Sequence, residues 1–184
     1  MTKREARAQA RTLRAALDMQ AVGRGMAEVL FPLPCWAAAG TVLAFVAMPD
    51  EPDTAAILRQ ALADGKHLLL PRVLSKTAMD WVEIPDLALL RPGAFGILEP
   101  PADLPTADPA VFARPLALIP CLAAGRDGVR LGRGGGYYDR FLAHYKGAKL
   151  LLCPEAVLTD TLPCDDWDAH FAPEEILTEK GIQV

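Results

Sequence analysis

The chain has 184 residues and a formal net charge of −4, with 52% hydrophobic and 23% charged residues. These figures describe one globular domain with room for a full core, and they argue against a general nucleic-acid binder, which is basic overall. No apolar run approaches the ~20 residues needed to span a bilayer, and the basic N-terminus lacks the apolar core of a secretory signal. Any anionic ligand must therefore be drawn by a local cluster of bases. Cys35, Cys121, Cys153 and Cys164 have no paired metal-ligand spacing and read as reduced thiols of a cytoplasmic protein. His67, His144 and His170 are too dispersed to make a ligand set.

Thr2-Lys3-Arg4-Glu5 has the form of a capping box opening a first helix. Ala6, Ala10, Leu13 and Leu17 make one apolar stripe, with Lys3, Arg7, Arg11 and Arg14 as a neighbouring cationic row. A solvated face and an anion-contacting face both account for such a row. A second helix is expected from Gly23 to Leu30, stopped by Pro32 and Pro34. A loop from Cys35 then enters Thr41 to Met48, an almost unbroken apolar run of the kind buried on both faces of a sheet. The acidic stretch from Pro49 to Asp53 and a helix from Thr54 to Leu62 follow. That order favours a ligand site at the strand's C-terminal end, although plain solvation of Asp50, Glu51 and Asp53, with Thr54 as a cap, also fits.

Leu68 to Val73 reads as a further buried strand. Met79 to Ile84 alternates as a half-buried one, with Met79, Trp81 and Glu83 on one face. The proline-rich stretch from Pro85 to Pro115 reads as an ordered loop. Beyond it come a strand over Leu116 to Pro120, a helix from Tyr137 to about His144, a strand over Lys149 to Cys153 and a short final strand at Ile176 to Thr178. Strand–helix–strand order implies parallel pairing with a right-handed crossover.

Between the first two of these elements lies Arg130-Leu131-Gly132-Arg133-Gly134-Gly135-Gly136-Tyr137-Tyr138-Asp139-Arg140. Glycines allow φ > 0 and leave backbone N–H groups bare, while Arg130, Arg133 and Arg140 supply fixed positive charge. Amides, guanidinium groups and a helix start together make an anion site, most economically one for phosphate; a surface hinge is the plain alternative. No Gly-Lys-Ser/Thr follows, so this is not a P-loop, and no strand and acidic residue stand where a dinucleotide fingerprint needs them.

With Leu118-Ile119-Pro120 and Asp127-Gly128-Val129 ahead of it, Gly-Arg-Gly-Gly-Gly-Tyr-Tyr-Asp resembles the signature of the 5-formyltetrahydrofolate cyclo-ligases, also called methenyltetrahydrofolate synthetases. The resemblance spans nearly the whole chain through four separated motifs. It implies one α/β domain over 1–184, a three-layer α/β/α fold with a mixed, largely parallel central sheet similar to sugar-phosphate isomerases and CoA-transferases. It also implies ATP and a magnesium ion as cofactors. On that resemblance Lys3, Arg4, Arg7, Arg130, Leu131, Gly132, Arg133, Gly134, Gly135, Gly136, Tyr137 and Tyr138 hold the nucleotide. Met48 packs on the pterin, and Glu51 or Asp53 accepts from its N–H groups, with Arg133 and Tyr137 also on the substrate. Asp139 and Asp168 hold the metal, with Asp165 and Asp166 close enough to blur that assignment, and Arg133 and Tyr137 are the catalytic pair. The Phe95-Gly96-Ile97-Leu98-Glu99-Pro100 segment walls the cleft.

The implied reaction is an ATP-driven ring closure. The formyl oxygen of 5-formyltetrahydrofolate, with or without a polyglutamate tail, is phosphorylated, and N10 then attacks the activated carbon to give 5,10-methenyltetrahydrofolate, ADP and phosphate. A monomer with no nucleic-acid or membrane partner is expected. The rival readings are a sugar-phosphate isomerase or CoA-transferase relative, which needs a glutamate nucleophile or base in the cleft, and a non-catalytic nucleotide- or folate-binding regulator.

Overall fold

The structure, a computed structural model, describes residues 1–93 and 96–183. Its first helix, α1 (Lys3–Arg14), carries the full capping box, with the Thr2 hydroxyl accepting from Glu5 N–H and the Glu5 carboxylate from Thr2 N–H. The next, α2 (Met19–Leu30), starts four residues before the expected Gly23, because the Asp18 carboxylate accepts from the N–H groups of Gln20 and Ala21 and caps an earlier turn. Pro34 opens the short α3 (Pro34–Ala38), where a loop was expected; proline at the first helical position loses no hydrogen bond. Strand β1 (Thr41–Leu43) is shorter than its apolar run. Ala44 N–H still reaches Leu69 O, and the chain then leaves the sheet toward α4 (Ala55–Ala63).

After α4 come β2 (His67–Val73), β3 (Met79–Glu83), the small hairpin β4 (Arg91–Pro92) with β5 (Leu98–Glu99), and β6 (Pro115–Pro120). Strands β7 (Ala123–Gly125) and β8 (Arg130–Leu131) lead into α5 (Tyr137–Leu142), β9 (Ala148–Leu152), β10 (Leu158–Thr159), β11 (Ile176–Thr178) and β12 (Gly181–Ile182). The central sheet has the order β12-β11-β9-β6-β1-β2-β3; β11, β9, β6, β1 and β2 are parallel and the two edge strands antiparallel. The expected mixed, largely parallel sheet is what forms. Strand β10 pairs with β7 and β7 with β8 in a separate three-stranded sheet. So a two-residue strand does run directly into the glycine loop, against the sequence reading.

Alternation explains the three layers. Leu68, Leu70, Leu116, Leu118, Leu150 and Leu152 pack on the side of α2, α3 and α4, with Met26, Leu30, Trp36, Ile57 and Leu58. Their neighbours Leu69, Ala117, Ile119 and Leu151 pack on the other side, against Ala6 and Ala10 of α1 and the small sheet. The sheet is covered on both faces, which is why its strands read as unbroken apolar runs. Strand β3 is not half-buried: Trp81 faces one layer and Val82 the other, and Asp80 is buried in an ion pair with Arg72. Two residues of α1 trade places. Leu13, expected in the docked stripe, is exposed, while Arg14 of the cationic row is 1% exposed.

Candidate active site

Successive strands step from β1 to β2 in one direction, whereas β6 flanks β1 on the other side. The connections after β1 and β6 therefore diverge, and in open α/β sheets ligands bind in the crevice so formed. Residues 44–54 form one lip. The other is residues 120–139, which include the glycine loop. Buried Arg14 ties the two together, its Nε donating to Asp50 O at 2.8 Å and its Nη1 to Cys121 O and Leu122 O at 3.2 and 3.0 Å. Only a residue with several donors can hold three carbonyls from two lips, and no spacing rule distinguished Arg14 from a surface arginine.

Two cavities adjoin there. The first, about 370 Å³, has mostly apolar walls: Phe45, Val46, Met48, Leu70, Val73 and Met79, with Ile97 and Pro100 from the proline-rich segment. Glu51, Arg133, Tyr137 and Tyr138 bring its polar groups. The second, about 620 Å³, is lined by Lys3, Arg7, Arg130, Arg140, Asp139, Asp165 and Asp168, together with Trp167 and loop glycines. Arg130, Gly132, Gly135, Gly136 and Asp139 line both. The glycine loop is thus the partition. Both volumes suit small molecules.

The partition needs its glycines. Gly134 and Gly136 have φ of 107° and 67°, the left-handed region that disfavours side chains. Arg7 Nε donates to Gly132 O at 2.9 Å and Arg140 Nη2 to Gly135 O at 2.8 Å, so loop carbonyls are turned toward guanidinium groups. Among the described residues no protein acceptor takes the N–H groups of residues 133–136. Backbone amides fixed in this way form an anion-binding concavity.

Ion pairs cross the site. Arg133 bridges the cleft, with Nε 3.0 Å from Glu51 Oε1 and Nη2 2.6 Å from Asp50 Oδ1. Burial raises the Asp50 carboxyl, but Arg133 outweighs burial and holds it below its ordinary value. Glu51 also accepts from Met48 N–H at 2.9 Å and is 6% exposed, so it is a buried cleft carboxylate and not a solvated one. Asp53 lies outside the cleft walls; its carboxylate accepts from Ala55 N–H at the start of α4. Thr54 holds the N-cap position of α4, but its hydroxyl makes no capping bond and donates instead to Phe45 O at 2.6 Å.

Lys3 sits between Asp165 and Asp168, at 2.6 and 2.5 Å. Burial lowers the Lys3 ammonium, but the hydrogen bonds to both carboxylates outweigh it and leave the pKa raised. The same contact offsets the effect of burial on Asp168 and keeps that carboxyl low. Asp139 pairs with Arg130 at 3.1 Å and not with its neighbour Arg140. Arg130 is itself pinned by Pro120 O and lies over the Tyr138 ring. Burial, with Glu51 nearby, pushes the Tyr138 phenol well up, and Tyr137 donates its hydroxyl to Ser75 O at 2.7 Å.

The expected site residues therefore converge, with some redistribution. Arg133, Tyr137 and Tyr138 line the first cavity and not the second, and Arg4, on the exposed side of α1, lines neither. Asp139, Asp165 and Asp168 line the second, whereas Asp166 does not. Phe95 lies outside the described residues. Arg140, expected as one of the charges around the loop, does line the second cavity, whereas Phe45, Val73 and Trp167 were not anticipated and line a cavity through tertiary placement alone. No group of three or more metal-ligating side chains occurs among the described residues. Magnesium needs none, since one or two carboxylates with water and phosphate oxygens suffice, and Asp139 and Asp168, both lining the second cavity, fit that demand. No helix among the described residues is long and apolar enough to cross a membrane.

Fold and site together define a class: a three-layer α/β protein at whose switch point a glycine loop divides an apolar cleft from a cavity lined by four cations and three carboxylates. A family model described as the 5-formyltetrahydrofolate cyclo-ligase family matches residues 1–179. The chain belongs to that family, whose members are named as enzymes. It is 33% identical over 148 residues to the 5-formyltetrahydrofolate cyclo-ligase of Mycolicibacterium smegmatis, covering 76% of this chain and 74% of that one. It is 28% identical over 159 residues to the Escherichia coli cyclo-ligase, covering 82% and 85%. The solution structure of Aquifex aeolicus 5,10-methenyltetrahydrofolate synthetase superposes with a TM-score of 0.84 at 28% identity, covering 100% of this chain and 92% of that one. A synthetase from Mycoplasma pneumoniae shares the fold, with a TM-score of 0.74 at 21% identity.

Proposed function

We propose that this protein closes 5-formyltetrahydrofolate to 5,10-methenyltetrahydrofolate at the expense of ATP, with the folate in the first cavity and the nucleotide in the second. The observation that carries this reading is the glycine loop standing as the common wall of the two, its amides without protein acceptors among the described residues. A reaction joining a flat, largely apolar substrate to a polyanion needs such an arrangement. Phosphate would be presented across the loop to a formyl oxygen on the other side.

The folate enters as the ligand of the apolar cleft, with Met48 against the pterin and buried Glu51 accepting from its N–H groups. The formyl oxygen attacks the γ-phosphorus and ADP departs, leaving an imidoyl phosphate. N10 then adds to the activated carbon, its proton is lost, and phosphate leaves. Phosphorylation matters because an amide oxygen is a poor leaving group and phosphate a good one. The protein contributes positioning and neutralisation, as in other phosphoryl transfers. Arg133, which now spans to Asp50 and Glu51, reaches the phosphoryl group from the folate side. The amides of residues 134–136 grip it from the loop, and Lys3, Arg7 and Arg130 hold the remaining phosphates. Asp139 and Asp168 would hold a magnesium ion that neutralises phosphate charge. Tyr137 lines the cleft beside the reacting folate.

The test is direct. Purified protein given 5-formyltetrahydrofolate, ATP and magnesium should develop the near-ultraviolet absorbance of the methenyl product, and omission of ATP should abolish it. A flat trace at high protein concentration would overturn the proposal.

A further inference from the structure

The second cavity has a direction. Its end nearest the folate is set by the residues common to both cavities, so the phosphate to be transferred must lie there. A triphosphate extended from that end carries its nucleoside toward the residues that line the second cavity alone. Among these, Leu131, Ala143 and Trp167 are apolar; Leu131 is buried in the core, and Trp167 is the aromatic one. Its side chain is 74% exposed, whereas the other two tryptophans, Trp36 and Trp81, are 3% and 4% exposed in the core. Among the described residues it pairs with no aromatic ring, although five other aromatic pairs meet in tilted or edge-on geometry. An indole held on the rim of a cationic cavity by a segment that Lys3 ties to α1, through Asp165 and Asp168, is a flat apolar surface beside a polyanion site.

We infer that Trp167 is the platform on which the purine base of the nucleotide stacks. The inference rests on the nucleotide reading above and adds the base subsite to it. Base–aromatic stacking contributes ~1–3 kcal/mol and tolerates any base with a π-face. Trp167 therefore supplies affinity for a nucleoside triphosphate over inorganic triphosphate, and not discrimination among purines.

Two measurements on the intact protein test this. In the first, tryptophan emission is followed during titration with magnesium-ATP and, separately, with magnesium tripolyphosphate, with binding of each verified by calorimetry. Because Trp36 and Trp81 are buried, the solvent-exposed emission belongs to Trp167. ATP should quench it and bound tripolyphosphate should not; equal quenching by both would overturn the inference. In the second, Trp167→Ala should raise KM for ATP roughly tenfold. Its KM for 5-formyltetrahydrofolate should stay put, and Trp167→Phe should restore most of the loss. An unchanged KM for ATP in Trp167→Ala would overturn the inference while leaving the nucleotide reading intact. Absence of any calorimetric signal with ATP would overturn both.

Discussion

The two cavities share one wall and differ in nearly everything else. The first is built from sheet residues and the chain just beyond β1, and among its polar groups Glu51 is buried while Arg133 is exposed. The second is assembled from segments far apart in sequence, α1, the glycine loop and residues 165–168, and its surface is crossed by ion pairs. Apolar strand ends make a cleft whose shape is set by core packing. The charged cavity is set by electrostatic matching, in which each cation that would meet phosphate is already held by a carboxylate or a carbonyl. The difference teaches how one loop can serve two chemistries. Its amides, bare among the described residues, are proposed to meet a polyanion, while its flanking side chains, Arg133 and Tyr137, line the apolar cavity.

The comparison breaks most severely at Arg133, which belongs to the cleft yet is proposed to serve the phosphate. Arg133→Ala should lower turnover roughly a hundredfold, about 3 kcal/mol of transition-state stabilisation, with smaller changes in KM for either substrate. Unchanged turnover in the same absorbance assay would remove Arg133 from the chemistry and confine it to holding Glu51.

A paired substitution sharpens the division of labour. Glu51→Gln removes the buried charge of the cleft and should raise KM for 5-formyltetrahydrofolate about tenfold, leaving KM for ATP in place; hydrogen bonds to charged groups contribute ~1.5–3 kcal/mol. Lys3→Met should do the reverse, and by less, several-fold in KM for ATP, because the side chain it loses is partly solvent-exposed and screened. Crossed effects, with Lys3→Met weakening folate or Glu51→Gln weakening ATP, would show that the loop does not separate the two ligands.

The smallest effect is in pH. Asp168 has its folded carboxyl held below the ordinary value of 3.8, because Lys3 outweighs burial. A depressed folded pKa stabilises the protein above the unfolded value and loses that contribution as pH falls through 3.8 toward the folded one. Denaturant unfolding should therefore show a stability plateau above about pH 5 and a decline below about pH 4. Asp168→Asn should shallow that decline. An acid limb of the same slope in the variant would mean that the Lys3 pair does not couple to folding.

Much of the fold was written in local pattern. Apolar runs at 68–71, 116–120 and 150–153 can be stable in water only when both faces are covered, and a helix between two of them favours parallel pairing, in agreement with the three-layer fold that the resemblance implied. The glycine loop was equally legible, since its conformation depends on the absence of side chains at Gly134 and Gly136. What the pattern could not settle was how charges pair across long separations. Arg14 and Arg7 lie in one cationic row, yet the fold buries the first as a clamp on three carbonyls and leaves the second on the cavity wall. Glu51 and Asp53 are two residues apart, but only Glu51 enters the cleft, because Asp53 is used to start α4. Trp167 sits in a stretch without regular periodicity, and its place on a cavity rim arises only when residues 165–168 meet α1. Helix and strand preferences act over a few neighbouring residues, whereas ion pairing and cavity shape depend on which distant segments the packed sheet brings together.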